Sequence, residues 1–197
     1  MRDGCLSTCD PVRREAGWAA EHQDDLGATG RLGVAGDSAG GNFAALLALR
    51  ALALGAGGPM LAWQALINPG LEMPGVERQA TTSHKLYGNG PIITTDMLKG
   101  FMSAYFRTDA EKIESSPLLA SDLRDLPRAF VAVGQCDPLR DECVAYADRL
   151  AAAGVQVQAR VYRGVPHNFM TMTHVSDVPS SFLQDLISDA CSALHEG

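Results

Sequence analysis

The sequence predicts an α/β domain built on a mostly parallel sheet with helices on both faces. Three observations carry this. Short apolar runs alternate with longer helix-like segments at both ends of the chain, and that alternation is the signature of parallel strands joined by crossovers. The runs Arg31–Ala35, Met60–Ile67 and Ala129–Val133 are nearly continuous in apolar residues and end in turn-forming ones, as strands covered on both faces do. A last strand, 155–162, alternates apolar and polar residues, which marks a sheet edge with one wetter face.

Taken in order, Pro11 to Leu26 reads as a helix with Trp18 on its apolar side, closed by Gly27. The strand Arg31–Ala35 follows and runs into Gly36. Phe43 to Leu54 is apolar almost all round, so it reads as a helix buried on most sides, stopped by Gly55 to Pro59. Met60–Ile67 is a strand ended by Asn68-Pro69-Gly70. Residues 70–125 are rich in turn formers and hold one convincing helix, Thr95 to Phe106, with Asp96 or Thr95 as its cap. This stretch reads as an excursion from the core. Ala129–Val133 is a buried strand. Arg140 to Ala153 is a helix with Cys143, Ala147, Leu150 and Ala151 on one stripe and Gly154 as its stop. In the last strand Val155, Val157, Ala159 and Val161 form the apolar set, against Gln156, Gln158, Arg160 and Tyr162. The closing helix places Leu183, Leu186, Ile187, Ala190, Cys191 and Leu194 on its stripe.

The chain has 197 residues, enough for one domain with its own core, and its 46% apolar content is ordinary for a globular protein. A net charge of −7 repels phosphate backbones and argues against nucleic acid as a partner. The five cysteines, Cys5, Cys9, Cys136, Cys143 and Cys191, are scattered and odd in number. They form neither a disulfide framework nor a zinc motif, and a reducing cytoplasm suits them. No cofactor or metal is called for. Met1 to Asp10 lacks an apolar stretch of signal-peptide length, and no segment is long and apolar enough to span a bilayer.

The chemistry concentrates at three strand ends. Gly36-Asp37-Ser38-Ala39-Gly40 follows the first strand and precedes the apolar helix. This is the context in which a tight strand-to-helix turn exposes a nucleophilic serine at the positive end of a helix dipole. A Gly-rich turn capping the helix through Ser38 is the structural alternative. A serine needs a base, and the base needs an orienting carboxylate. Asp137 follows the third strand, in Gly134-Gln135-Cys136-Asp137-Pro138. His167 follows the fourth, in Gly164-Val165-Pro166-His167-Asn168-Phe169. Both lie past C-terminal strand ends, where parallel sheets place their sites. Asp137 as a helix cap and His167 as a loop residue are the plainer readings. His22, His84, His174 and His195 read as solvated, Cys136 as buried filler with a place bordering the site as the alternative, and Asp141 and Glu142 as first-turn residues that complement the dipole.

Three further strings then carry a resemblance. Gly36-Asp37-Ser38-Ala39-Gly40-Gly41-Asn42, Ser116-Pro117-Leu118-Leu119-Ala120 and Asp137-Pro138-Leu139-Arg140-Asp141-Glu142 resemble the hormone-sensitive-lipase-like esterases of the α/β-hydrolase superfamily. Gly164-x-x-His167-x-Phe169 and Trp18-Ala19-Ala20-Glu21-His22 fit the same family, so the resemblance runs from about Pro11 to the end. It implies hydrolysis of short-chain carboxylic esters by Ser38, Asp137 and His167, without a cofactor. It also implies a three-layer fold and one domain, 1–197, in which residues 70–125 form part of a cap. A peptidase of the superfamily, or a non-catalytic binding module on the same fold, is the alternative.

One family feature is missing. The His-Gly-Gly motif, whose backbone N–H groups form most of the oxyanion hole upstream of the elbow, is not in the sequence. The Ala39 N–H of the elbow remains as one donor. The expectation is therefore the C-terminal half of the fold, from a fragment or wrongly started reading frame, with the first strands and the N-terminal cap absent. Each oxyanion donor lost lowers kcat by roughly 10²–10³-fold. The elbow strand becomes a sheet edge, and self-association through it is an expectation.

Overall fold

The computed structural model describes residues 14, 16–28, 31–54, 60–78 and 80–195. Four strands form one parallel sheet: β1 (Leu32–Asp37), β2 (Leu61–Ile67), β3 (Arg128–Gly134) and β4 (Val157–Tyr162). Their order in space is their order in sequence, so each crossover advances by one neighbour. Among the described residues β1 and β4 are the edges. The helices are α1 (Ala39–Ala53), α2 (Met73–Arg78), α3 (Thr82–Tyr87), α4 (Thr95–Tyr105), α5 (Asp109–Glu114), α6 (Arg140–Ala152) and α7 (Val178–His195). Residues 16–21 are helical before them, ahead of Gly27 at φ 65°. The start of that helix at Pro11, the Gly55–Pro59 stop, Cys5 and Cys9 lie outside the described residues. No helix among the described residues is long and apolar enough to cross a membrane.

Strand periodicity divides the core in two. Ala129, Val131 and Val133 of β3 face α1 and α6, meeting Ala44, Ala48, Cys143, Tyr146 and Leu150. Phe130 and Ala132 face the other way, with Trp63, Ala65, Phe169 and Phe182 beneath α7. Both clusters are fully buried at their centres. The expected three layers are therefore present: helices, sheet, helix.

Several expectations about faces are corrected. On α7, Phe182, Asp189 and Ala193 point inward, whereas Leu183 and Ile187 are each 52% exposed and Cys191 is exposed. Asp189 decides this rotation. It accepts a hydrogen bond from Trp63 Nε1 at 2.7 Å and pairs with the Arg128 guanidinium, so a carboxylate occupies a position that hydropathy assigns to solvent. On α6, Ala151 is exposed and Tyr146 and Glu142 are buried. Along the expected last strand, 155–162, the alternation holds at buried Val155 and exposed Gln156 and fails at the far end. Val161 is 43% exposed, while Tyr162 packs on Phe169 and Phe182 and donates its hydroxyl to Asp185 Oδ2 at 2.8 Å. Trp18, expected on an apolar face, is 53% exposed and stacks on His22.

Residues 70–125 form four short helices rather than one. Leu71, Val76, Ile93, Leu98 and Leu123 join the same cluster as α1 and α6, so the segment contributes to the core as well as leaving it. The α4 cap is Thr94, whose hydroxyl accepts from the Met97 N–H, and neither Thr95 nor Asp96. Thr95 is buried instead.

Candidate active site

A tight turn joins β1 to α1. Ser38 sits at φ 55° and ψ −115°, outside the regions an L-residue prefers, and its N–H donates to the Ile67 carbonyl at 2.8 Å. Glycine makes the turn possible. A Cβ on Gly36 would lie 2.1 Å from the Gly40 carbonyl oxygen, and one on Gly41 would lie 2.9 Å from Pro69 Cβ. The strained φ/ψ aims the Ser38 side chain out of the turn, and α1 begins at the next residue. The first-turn N–H groups, that of Ala39 first, therefore sit beside the hydroxyl at the positive end of the helix dipole.

The structure brings the three sequence-selected residues together. His167 Nε2 lies 3.0 Å from Ser38 Oγ, and His167 Nδ1 lies 2.7 Å from Asp137 Oδ2. Asp137 is fully buried and His167 nearly so. The second carboxylate oxygen of Asp137 accepts the Leu139 N–H at 2.9 Å, which fixes the rotation of the carboxyl group. The two loops are tied to each other. The Cys136 N–H donates to the Val165 carbonyl, and the Gly164 N–H donates to Gln135 Oε1. Gly134 has no room for a side chain, since a Cβ there would lie 2.5 Å from the Pro166 oxygen. Asn168, next to the histidine, takes φ 61°, a left-handed conformation that asparagine tolerates.

Sequence reasoning missed the residues that knit these ends together. Asn68, buried at φ 44°, accepts the Gly134 N–H at 3.2 Å, contacts Asp37 Oδ1 at 3.5 Å and links three strands at once. Its only signal was an asparagine directly after a strand and before proline. Burial pushes the Asp37 carboxyl above its ordinary range. Asn42 donates to the carbonyls of Gly70 and Ser115, pinning the 68–72 loop and the Ser116-Pro117 turn. Arg149 donates to the Leu118 and Ala120 carbonyls of the same segment.

His84 is buried rather than solvated, and Glu142, in the first turn of α6 as expected, is buried there. Glu142 Oε1 accepts the Leu71 N–H at 2.7 Å, and its other oxygen lies 3.9 Å from His84 Nε2. Burial drives the Glu142 pKa up to about 8 and holds that of His84 below its ordinary value, with Asp141 and Asp137 opposing the latter. Cys136 is half-buried rather than filler within the core. His174 is exposed, as expected.

A cavity of about 410 Å³ opens at Ser38. Its walls are almost wholly apolar: Phe43 of α1, Ile93, and Leu98, Phe101, Met102 and Tyr105 of α4, with Asn42 as a polar exception. Among the described residues no group of three His, Cys, Asp or Glu side chains comes together as a metal site. The arrangement is suited to nucleophilic attack by a serine on an electrophile whose apolar part enters the cavity.

The sequence matches the model of the α/β-hydrolase fold family over residues 7–171. It is 37% identical over 178 residues to the carboxylic ester hydrolase LipN of Mycobacterium tuberculosis, covering 87% of this chain and 46% of that protein. It is 37% identical over 165 residues to an ethyl acetate hydrolase of Pseudomonas putida, covering 79% of this chain and 48% of that one. The chain thus spans about half the length of the curated relatives it matches. Among solved structures, a hyperthermophilic esterase from the archaeon Pyrobaculum calidifontis superposes with a TM-score of 0.83 at 34% identity, over 93% of this chain and 57% of that one. A thermostable carboxylesterase cloned from a metagenomic library gives 0.85 at 31% identity, over 94% and 63%.

Proposed function

The chain belongs to the α/β-hydrolase fold family, in its hormone-sensitive-lipase-like branch, and from that premise we propose that it is a serine carboxylic ester hydrolase acting through Ser38, Asp137 and His167. The observation that carries the reading is the continuous relay from Ser38 Oγ to His167 Nε2 at 3.0 Å and from Nδ1 to Asp137 at 2.7 Å. In this reading Ser38 attacks the ester carbonyl carbon while His167 Nε2 takes the hydroxyl proton. Asp137 holds the imidazole in the tautomer that presents Nε2 to the serine and stabilises the imidazolium. The developing oxyanion faces the Ala39 N–H and the positive end of α1. His167 then returns the proton to the departing alcohol. A water molecule, deprotonated by the same nitrogen, releases the acyl group from Ser38.

Short-chain esters are the proposed substrates. The cavity beside Ser38 has a volume of about 410 Å³ and apolar walls, which suits a small acyl group and disfavours charged ones. Most of those walls come from residues 70–125, so that segment is the proposed site of substrate selection. The Pseudomonas putida relative is an ethyl acetate hydrolase, which is consistent with this choice.

The test is hydrolysis of p-nitrophenyl acetate and butyrate by the purified chain beside Ser38→Ala. Release of p-nitrophenol above the variant supports the reading. Equal rates for the two proteins, with Ser38 unlabelled by a fluorophosphonate, refute it.

A further inference from the structure

Asp137 is held by its own turn, residues 137–141, and that turn is gripped from outside. The grip comes from Ser83, at the start of α3 and fully buried. Its hydroxyl donates to the Pro138 carbonyl at 2.7 Å and accepts the Asp141 N–H at 3.2 Å. Its own N–H donates to Asp141 Oδ2 at 2.8 Å. One side chain thus clasps the turn on both sides of Leu139. A second contact lies alongside. Arg140 sits over the Tyr87 ring at 5.3 Å, pairs with Asp141 and donates to the Gln135 carbonyl.

The consequence follows bond by bond. Leu139 lies between the two points that Ser83 holds, and its N–H is the group that sets the rotation of the Asp137 carboxyl. The other oxygen of that carboxyl meets His167 Nδ1. We infer that Ser83 is a positioning residue for the acid, with Asp141 as its partner, so that docking of α3 onto the 137–141 turn sets the alignment of the relay. The inference rests on the triad reading above. It also gives residues 70–125 a second role beyond lining the cavity, because the segment that selects substrate is bonded to the turn that carries Asp137.

The test uses the rate at which a fluorophosphonate labels Ser38, which reports the relay without requiring turnover. Its maximal rate, kinact, and its half-saturating concentration, KI, are measured for the wild type, Ser83→Ala and Asp141→Ala. Asp141 is partly exposed, so its variant decides the matter if Ser83→Ala does not fold. The expected result is a kinact lower by roughly tenfold to a hundredfold, as for a small misplacement of a catalytic group, with KI changed far less because Leu139 alone of the cavity's lining residues belongs to the 137–141 turn. Thr108→Ala serves as a control. It removes the capping box of α5 in the same segment, lowers stability and leaves kinact as in the wild type. Wild-type kinact in folded Ser83→Ala and in Asp141→Ala overturns the positioning role alone. If the wild type is not labelled, or Ser38→Ala is labelled equally, the triad reading falls and the inference with it.

Discussion

Replacing Glu142 by glutamine removes one titration while keeping the shape and the acceptor for the Leu71 N–H. Glu142 is buried, and its pKa rises from 4.5 to about 8 in the folded chain because burial penalises the carboxylate more than its backbone donors favour it. Between those two values the folded chain keeps a proton that the unfolded chain has released. Stability contributed by the neutral group is then fully present below pH 4.5 and lost as pH rises towards 8. His84 acts in the opposite sense. Its lowered pKa means that the unfolded chain binds a proton that the folded one refuses, so its effect raises stability with pH up to 6.5 and ends there. The clean window therefore runs from pH 6.5 to 8. A full proton of difference is worth about 1.4 kcal/mol per pH unit, so the wild type should lose about 2 kcal/mol across that window relative to Glu142→Gln. Urea denaturation of both proteins at several pH values measures it. Parallel stability curves for wild type and Glu142→Gln above pH 6.5 would refute the reasoning, since they would mean that Glu142 is ionised in the fold.

Three other outcomes are expected. Gly36→Ala forces a Cβ to 2.1 Å from the Gly40 oxygen, so the elbow must open; a loss of about 3 kcal/mol or more is expected in thermal denaturation, and Ser38 should no longer be labelled by a fluorophosphonate. Asn68→Ala leaves the buried Gly134 N–H without its acceptor and should cost about 1–3 kcal/mol in urea melts, more than the same change at exposed Asn89. Phe130→Ala empties the centre of the cluster under α7 and should cost about 3–5 kcal/mol; a loss below 1 kcal/mol would mean that this face of the sheet is not packed as described.

The turn at Ser38 was legible because its constraint is local. Backbone closure within Gly36 to Gly41 demands small residues there whatever surrounds them, and a pattern of glycines around a serine is the direct trace of that demand. Asp137 and His167 were legible for a related reason, since each stands just past a strand whose apolar run announces it. Strands β1, β2 and β3, α1 and α6 followed from apolar runs and their stops.

Other features depended on partners distant in sequence. The inward face of α7 turns on Asp189, whose burial makes sense only once Trp63 and Arg128 stand opposite it. Tyr162 entered the core because Phe169, Phe182 and Asp185 receive it, while Val161 was left outside. His84 read as solvated and Glu142 as a first-turn complement to the dipole until two segments 58 positions apart closed over them. By itself, then, the sequence determined which residues form the Ser38 turn and the loops that carry Asp137 and His167, because glycine sterics and strand ends act over a few residues. Tertiary structure alone decided the 3.0 Å and 2.7 Å contacts that join them, and which polar groups are hidden, because desolvation and hydrogen bonding depend on what the rest of the chain brings alongside.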